Sequence, residues 1–397
     1  MSNYEVVKNN VGLKIHAEII EDEARKQIDL IVSHPAIRDL IAIMADVHAG
    51  AGCVIGFTGR FKDAVIPAVV GVDIGCGVLS YKLVGREIDF AKLDNFIRKR
   101  IPLGFNSRGL DYVSVQSVFD ALPIDLRQEV QRVTTEAEGF LSQNNLLGKT
   151  IPLQQIGTLG GGNHFIEIEK GCGGELYLTI HSGSRNFGLK VANYYQKMAK
   201  QIMKEMNIKV PQDLEYLPLS YGGISYLIHM KLAQEYAQHN REVMLRIILN
   251  YLGEQYCQER AVESVHNFVS DRDHIVRKGA ISAHMDERVV IPLSMGQGIV
   301  LGVGKGNKEY NWSAPHGAGR LYGRKDMLRR LDSGNFHSME AFEESMQGIF
   351  TTSISRNTFD EAPFAYKSWD SISCYLSETV DIEQVARPVY NLKAGGE

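Results

Sequence analysis

The chain has 397 residues, 44% hydrophobic and 23% charged, with a formal net charge of -4. That composition fits a globular protein able to bury a large core and excludes a wholly disordered chain. It also excludes a global basic field, so any contact with nucleic acid falls to a local patch.

In chain order, the opening Met-Ser-Asn-Tyr-Glu-Val lacks the apolar run of a signal peptide, and no segment reaches the roughly 18 apolar residues of a membrane span. Cys53, Cys76, Cys172, Cys257 and Cys374 form an odd, scattered set without a Cys-x-x-Cys pair. A disulfide framework and a zinc finger are therefore disfavoured, and a cytoplasmic protein is expected. Helical periodicity predicts helices over Glu21 to Val32, Phe90 to Ile101, Ile124 to Leu146, Val191 to Met206 and Ile224 to Glu259. Strands are expected at Leu40 to Met44, Val65 to Val72, Val78 to Leu83, Phe165 to Ile168, Leu176 to Ile180, Ala261 to Val269, Val289 to Pro292 and Val300 to Val303. No linker, repeat or low-complexity block divides the sequence. The irregular alternation predicts an α+β fold: one integrated domain over 1–397, with mixed sheets flanked by helices and a long helical excursion around 189–259.

Chemistry gathers where strands end in glycine. Gly71-Val-Asp-Ile-Gly-Cys-Gly77 sets Asp73 and Cys76 on one turn; they suit a cation, or a tight turn with a capping Asp and an inward Cys. In Gly157-Thr-Leu-Gly-Gly-Gly-Asn-His-Phe-Ile-Glu167, alternation puts Asn163 and Glu167 on one face and His164 on the other. His181 ends one strand run and His266 lies within another, so a dispersed metal site is open alongside ordinary structural histidines. His229 and His239 read as helix side chains. His16, His34, His274, His284 and His337 have no suggestive neighbours. Gly302-Val-Gly-Lys-Gly-Asn307 lacks the Ser or Thr of a phosphate-binding loop, and the glycines of Gly50 to Gly56 are misspaced for a dinucleotide site. Ala314-Pro-His-Gly-Ala-Gly-Arg320 displays His316 before a bare backbone. Arg320, Arg324, Lys325, Arg329 and Arg330 follow as a basic patch or a solvated helix face.

Taken together, Ala-Asp-Val-His48, Val-Asp-Ile-Gly-Cys-Gly77, Gly-Gly-Asn-His-Phe-Ile-Glu167, His-Ser-Gly-Ser-Arg185, His-Asn-Phe-Val269, Arg-Lys-Gly-Ala280, Ser-Met-Gly296 and His-Gly-Ala-Gly-Arg320 resemble the RtcB family of RNA-splicing ligases. The resemblance runs from about Asp46 to Lys393. It implies an enzyme that uses GTP and two Mn²⁺ per site to join an RNA 3′-phosphate or 2′,3′-cyclic phosphate to a 5′-hydroxyl end. By position, the implied metal ligands are Asp73, Cys76, His164, His181 and His266, with Cys76 bridging, and the implied guanylylated residue is His316. Implied GMP contacts are Asn163, His164, Phe165, Ile166, Glu167, His266, Asn267, Pro292, Leu293, Ser294, Met295, His316, Gly317, Ala318, Gly319 and Lys393. Arg185, Arg320 and Arg324 are candidates for RNA contact. Ala45, Ala51, Gly52, Val265 and Leu293 depart from the family pattern and bear on RNA preference. A dinuclear-metal phosphoesterase acting on cyclic-phosphate ends is the alternative, and an RNA-binding protein with a structural metal a further one. A monomer is expected; an activating partner stays open.

Overall fold

Two mixed sheets organise the protein. The computed structural model describes residues 4–8, 11–85, 87–109, 112–334 and 337–394. The six-stranded sheet runs in the order Tyr4–Lys8, Val11–Ile15, Ile37–His48, Ile55–Phe61, Ile275–Lys278 and Asn267–Val269. Val11–Ile15 is parallel to Ile37–His48, and the helix Asp22–Val32 lies between them in sequence. The eight-stranded sheet follows Ala261–Val265, Gly77–Lys82, Leu176–Ser182, Phe165–Lys170, Val380–Lys393, Ile299–Gly304 and Arg288–Pro292, with Phe350–Thr351 alongside Val380–Lys393. The fold is α+β, as the sequence predicts.

The helix Ile224–Leu252 joins the two cores. Tyr226, Met230 and Ala233 pack with Val70, Ile74 and Val191 under the first sheet. About three to four turns on from Ala233, Met244, Leu245 and Ile248 pack with Leu79, Ile166 and Ile180 of the second. A helix apolar on most faces is buried in this way.

Three expectations need correction. Val65 to Val72 is not one strand: Ala64–Val65 is followed by a helical turn, Pro67–Val70, because Pro67 lacks the N–H a strand would use but suits a first helical turn. The long helix stops at Leu252, not Glu259, since Gly253 adopts φ 65° and closes it. Ala261 to Val269 breaks at His266: Ala261–Val265 pairs with Gly77–Lys82 in one sheet, whereas Asn267–Val269 pairs with Ile275–Lys278 in the other. The break places His266 where the two sheets meet.

Buried Arg277, on the strand Ile275–Lys278, braces the approach to His316. Its guanidinium donates to Ser313 Oγ at 2.9 Å and pairs with Asp273 at 2.6 Å. Arg277→Met takes from mostly buried Asp273 its guanidinium partner while His284 at 2.9 Å and the Ile275 N–H remain, and a loss of about 1.5–3 kcal/mol is expected in denaturant unfolding; a change below about 1 kcal/mol would show the brace to be dispensable.

Candidate active site

The turn carrying Asp73 and Cys76 takes a backbone conformation that suits glycine. Gly75 has φ +71°, and a Cβ there would stand 2.6 Å from the Gln234 Cα, so the turn carrying Asp73 and Cys76 lies flat on the long helix. Gly75 N–H donates to the Asn267 carbonyl, and the Asn267 side chain donates back to the Asp73 carbonyl. His266 N–H donates to the Cys76 carbonyl at 2.9 Å, tying the junction of the sheets to this turn.

The five implied ligands converge. His164 places Nδ1 3.1 Å from the Leu159 carbonyl, which points Nε2 at Asp73 Oδ2 (3.1 Å) and Cys76 Sγ (3.5 Å). His181 Nε2 lies 3.3 Å from the same sulfur. Two donor groups result, Cys76–His181–His266 and Asp73–Cys76–His164, each with its ligand atoms within 4.8 Å of one another. Cys76 belongs to both. His266 Nδ1 is buried and has no hydrogen-bond partner, an orphan that suits a cation. A thiol, imidazoles and one carboxylate fit Mn²⁺, Fe²⁺, Co²⁺ or Zn²⁺ better than Mg²⁺.

Electrostatics prepare the set. Burial pushes the Cys76 thiol well above its usual range, and the neighbouring Asp73 charge pushes it further. Burial holds His181 and His266 far below theirs, so both rings are neutral and carry a free lone pair. At Asp73 burial acts upward, but the hydrogen bond and charge of His164 outweigh it and leave the carboxyl at about 2.

His316 stands beside the donors. The strand Ser313–Pro315 delivers it, paired with Ala280–Ser282. The rings of His164, His181, His266 and His316 succeed one another at centroid spacings of 5.3, 5.2 and 4.8 Å. His316 Nδ1 lies 2.5 Å from Asp46 Oδ2, and the His316 backbone N–H donates to the same oxygen at 3.0 Å. Fully buried Asp46 therefore fixes the ring and assigns the proton to Nδ1, leaving the Nε2 lone pair free. The sequence reading missed Asp46, although it lies in the quoted Ala-Asp-Val-His48 motif.

A cleft of about 910 Å³ opens over these groups. Asn163, Phe165 and Glu167 line it, whereas Ile166 turns into the core, as strand alternation requires. Asn267, Pro292, Leu293, Ser294, Met295, Gly317, Ala318, Gly319 and Lys393 line it too. Lys393 pairs with buried Glu361 at 2.9 Å, and its ammonium lies 5.5 Å from the Phe165 ring centroid. Burial raises the Glu167 carboxyl against the charge of Lys393. The three arginines differ. Arg324 is half exposed at the cleft, 3.5 Å from Asp360. Arg320 also lines the cleft, but its guanidinium pairs inward with Glu361 at 3.0 Å. Arg185 is held by Thr158 Oγ1 and the Gly104 carbonyl and is not among the cleft-lining residues. Ala45 and Leu293 are buried in one apolar cluster.

Fold and site together define an α+β enzyme-like protein with a buried donor cluster able to hold a metal ion beside an oriented histidine. A family model described as tRNA-splicing ligase RtcB matches residues 27–394, and the chain belongs to the RtcB family. It is 30% identical to the RNA-splicing ligase RtcB of Escherichia coli K12, covering 98% of this chain and 100% of that protein. The tRNA-splicing ligase RtcB of Thermococcus kodakarensis is 27% identical over 92% of this chain and 90% of its own. That of Aeropyrum pernix is 26% identical over 89% and 87%.

Proposed function

We propose that this chain is an RNA ligase that joins a 3′-phosphate or 2′,3′-cyclic phosphate end to a 5′-hydroxyl end, using GTP and two Mn²⁺, in tRNA splicing or RNA repair. The observation that carries the reading is the Asp46–His316 pair set against a donor cluster in one cleft. We read the whole chain as one working domain in the cytoplasm; in support of the single domain, the donors lie on or beside strands of the second sheet, His266 lies at the junction and Asp46 comes from the first sheet. No helix among the described residues is long and apolar enough to cross a membrane.

Bound by Cys76, His181 and His266 on one side and Asp73, Cys76 and His164 on the other, Mn²⁺ would neutralise phosphate oxygens at the reacting ends. His316 Nε2 attacks the α-phosphorus of GTP; an N–P bond forms, the α–β phosphoanhydride breaks and pyrophosphate leaves. The Nδ1 proton stays between ring and Asp46, whose charge offsets that developing on the imidazole. GMP then passes from His316 to the RNA 3′-phosphate, water having first opened the ring where that phosphate is cyclic. The 5′-hydroxyl oxygen attacks the activated phosphate, forms the new phosphodiester and expels GMP. Asn163, Glu167, Ser294 and Lys393 line the cleft where the nucleotide would sit, and Arg324, also lining it, would offer phosphate contact without reading sequence.

Asp46→Asn removes the acceptor that sets the tautomer, and guanylylation slower by roughly 1,000- to 10,000-fold is expected; near-normal single-turnover rates would remove Asp46 from the mechanism. The reaction itself is tested by offering 5′-hydroxyl RNA together with 3′-phosphate, cyclic-phosphate or 3′-hydroxyl RNA, GTP and Mn²⁺. Joining of the first two ends alone is expected. Cyclic-phosphate hydrolysis without joining would instead establish the phosphoesterase.

A further inference from the structure

Asp46 is held at a place where its sheet runs out. Val11–Ile15 pairs with Ile37–His48 only as far as Ile15 opposite Ile43, and the His16 N–H then donates to the Ile43 carbonyl. On that strand edge the next carbonyls facing the same way belong to Ala45 and Val47, either side of Asp46. The Lys367 ammonium takes both, at 2.8 and 2.9 Å, and reaches the Ile19 carbonyl at 3.4 Å. The backbone N–H of the same lysine donates to the Gly319 carbonyl at 3.0 Å. Gly319 lies so close to Asp46 that a Cβ on it would stand 2.5 Å from the Asp46 carbonyl oxygen. Lys367 is 3% exposed, so this cation is committed to these partners and not to solvent.

We infer that Lys367 is a positioning residue: its side chain replaces the missing strand beside Asp46, and its backbone tethers the loop after His316, fixing the carboxylate against the imidazole. This rests on the proposed nucleotide-carrying role of His316. A surface lysine would hold neither the strand nor the loop. Lys367 holds both ends of the hydrogen bond that sets which imidazole nitrogen is free.

The test is single-turnover guanylylation with GTP and Mn²⁺ for wild type, Lys367→Met, Lys367→Arg, Asp46→Asn and the Lys367→Met/Asp46→Asn double variant, with His316 ring ¹⁵N shifts measured in each. Lys367→Met is expected to slow the step by roughly 100-fold through misplacement of the nucleophile. The KM for GTP should stay within about threefold, metal content should hold, and Lys367→Arg should recover most of the rate. In the Asp46→Asn background the same change should cost less than about twofold, because the two residues act as a unit. An equal loss in both backgrounds, or none, overturns the inference. Should Lys367→Met fail to fold, a Lys367→Gln cycle with Asp46→Asn decides on the same criterion of non-additivity, because glutamine is uncharged and one atom shorter than the lysine that reaches both carbonyls. If wild type forms no adduct, the proposed function falls, and the ¹⁵N shifts still decide: a changed Nδ1–H signature in Lys367→Met supports positioning, and an unchanged one refutes it.

Discussion

Cys76→Ala is expected to strip metal from the protein and abolish joining of RNA ends. The sulfur is the one atom common to both donor groups, so its removal weakens each at once. Changing an outer-shell partner of a metal ligand already costs about 10- to 100-fold in affinity, and loss of a shared ligand should exceed that. Folding should survive, because in the metal-free protein burial keeps Cys76 a neutral thiol and alanine leaves no stranded charge. Elemental analysis after gel filtration reads the result directly. Unchanged Mn²⁺ stoichiometry would remove the bridging thiolate.

His316→Gln should do the reverse, keeping the metal while losing the chemistry. The donor groups do not include His316, which meets them through its ring contact with His266. Glutamine can still meet Asp46 through its amide but has no basic nitrogen to carry GMP. A fall in ligation of roughly 10,000-fold or more is expected, the scale on which a covalent nucleophile is missed. The decisive comparison is metal content against rate in one preparation. Retained guanylylation would move the nucleophile elsewhere, and lost metal would make His316 a ligand.

How much of this was legible in the sequence depended on distance along the chain. The alternation at 163–167 put Asn163 and Glu167 on one face because strand geometry is local, and both residues line the cleft. The glycine-rich turn carrying Asp73 and Cys76 was visible, but not that Gly75 would lie flat on the long helix at Gln234, a contact made far along the chain. Asp46 escaped notice because it lies in a strand of mostly buried apolar residues, where one carboxylate reads as an interruption, and its partner is 270 positions away. Lys367 is further still from Ala45, at 322 positions. The break at His266 was hidden for another reason: Ala261 to Val269 has one continuous strand pattern, and only the competing partners Gly77–Lys82 and Ile275–Lys278 divide it. Charge misled in its own way. Arg320 begins a basic run, yet its guanidinium is turned inward by Glu361, 41 residues later.

The central claim is that an imidazole oriented by Asp46 carries a nucleotide beside a metal centre. Its most direct test is to incubate the Mn²⁺-loaded wild-type protein with radiolabelled GTP, digest it at neutral pH to spare an acid-labile N–P bond, and locate the label by peptide mass spectrometry. The account predicts GMP on the peptide containing His316, formed only with metal and discharged by RNA bearing a 3′-phosphate. GMP on any other residue, or turnover of GTP and RNA ends with no protein adduct at all, would contradict it.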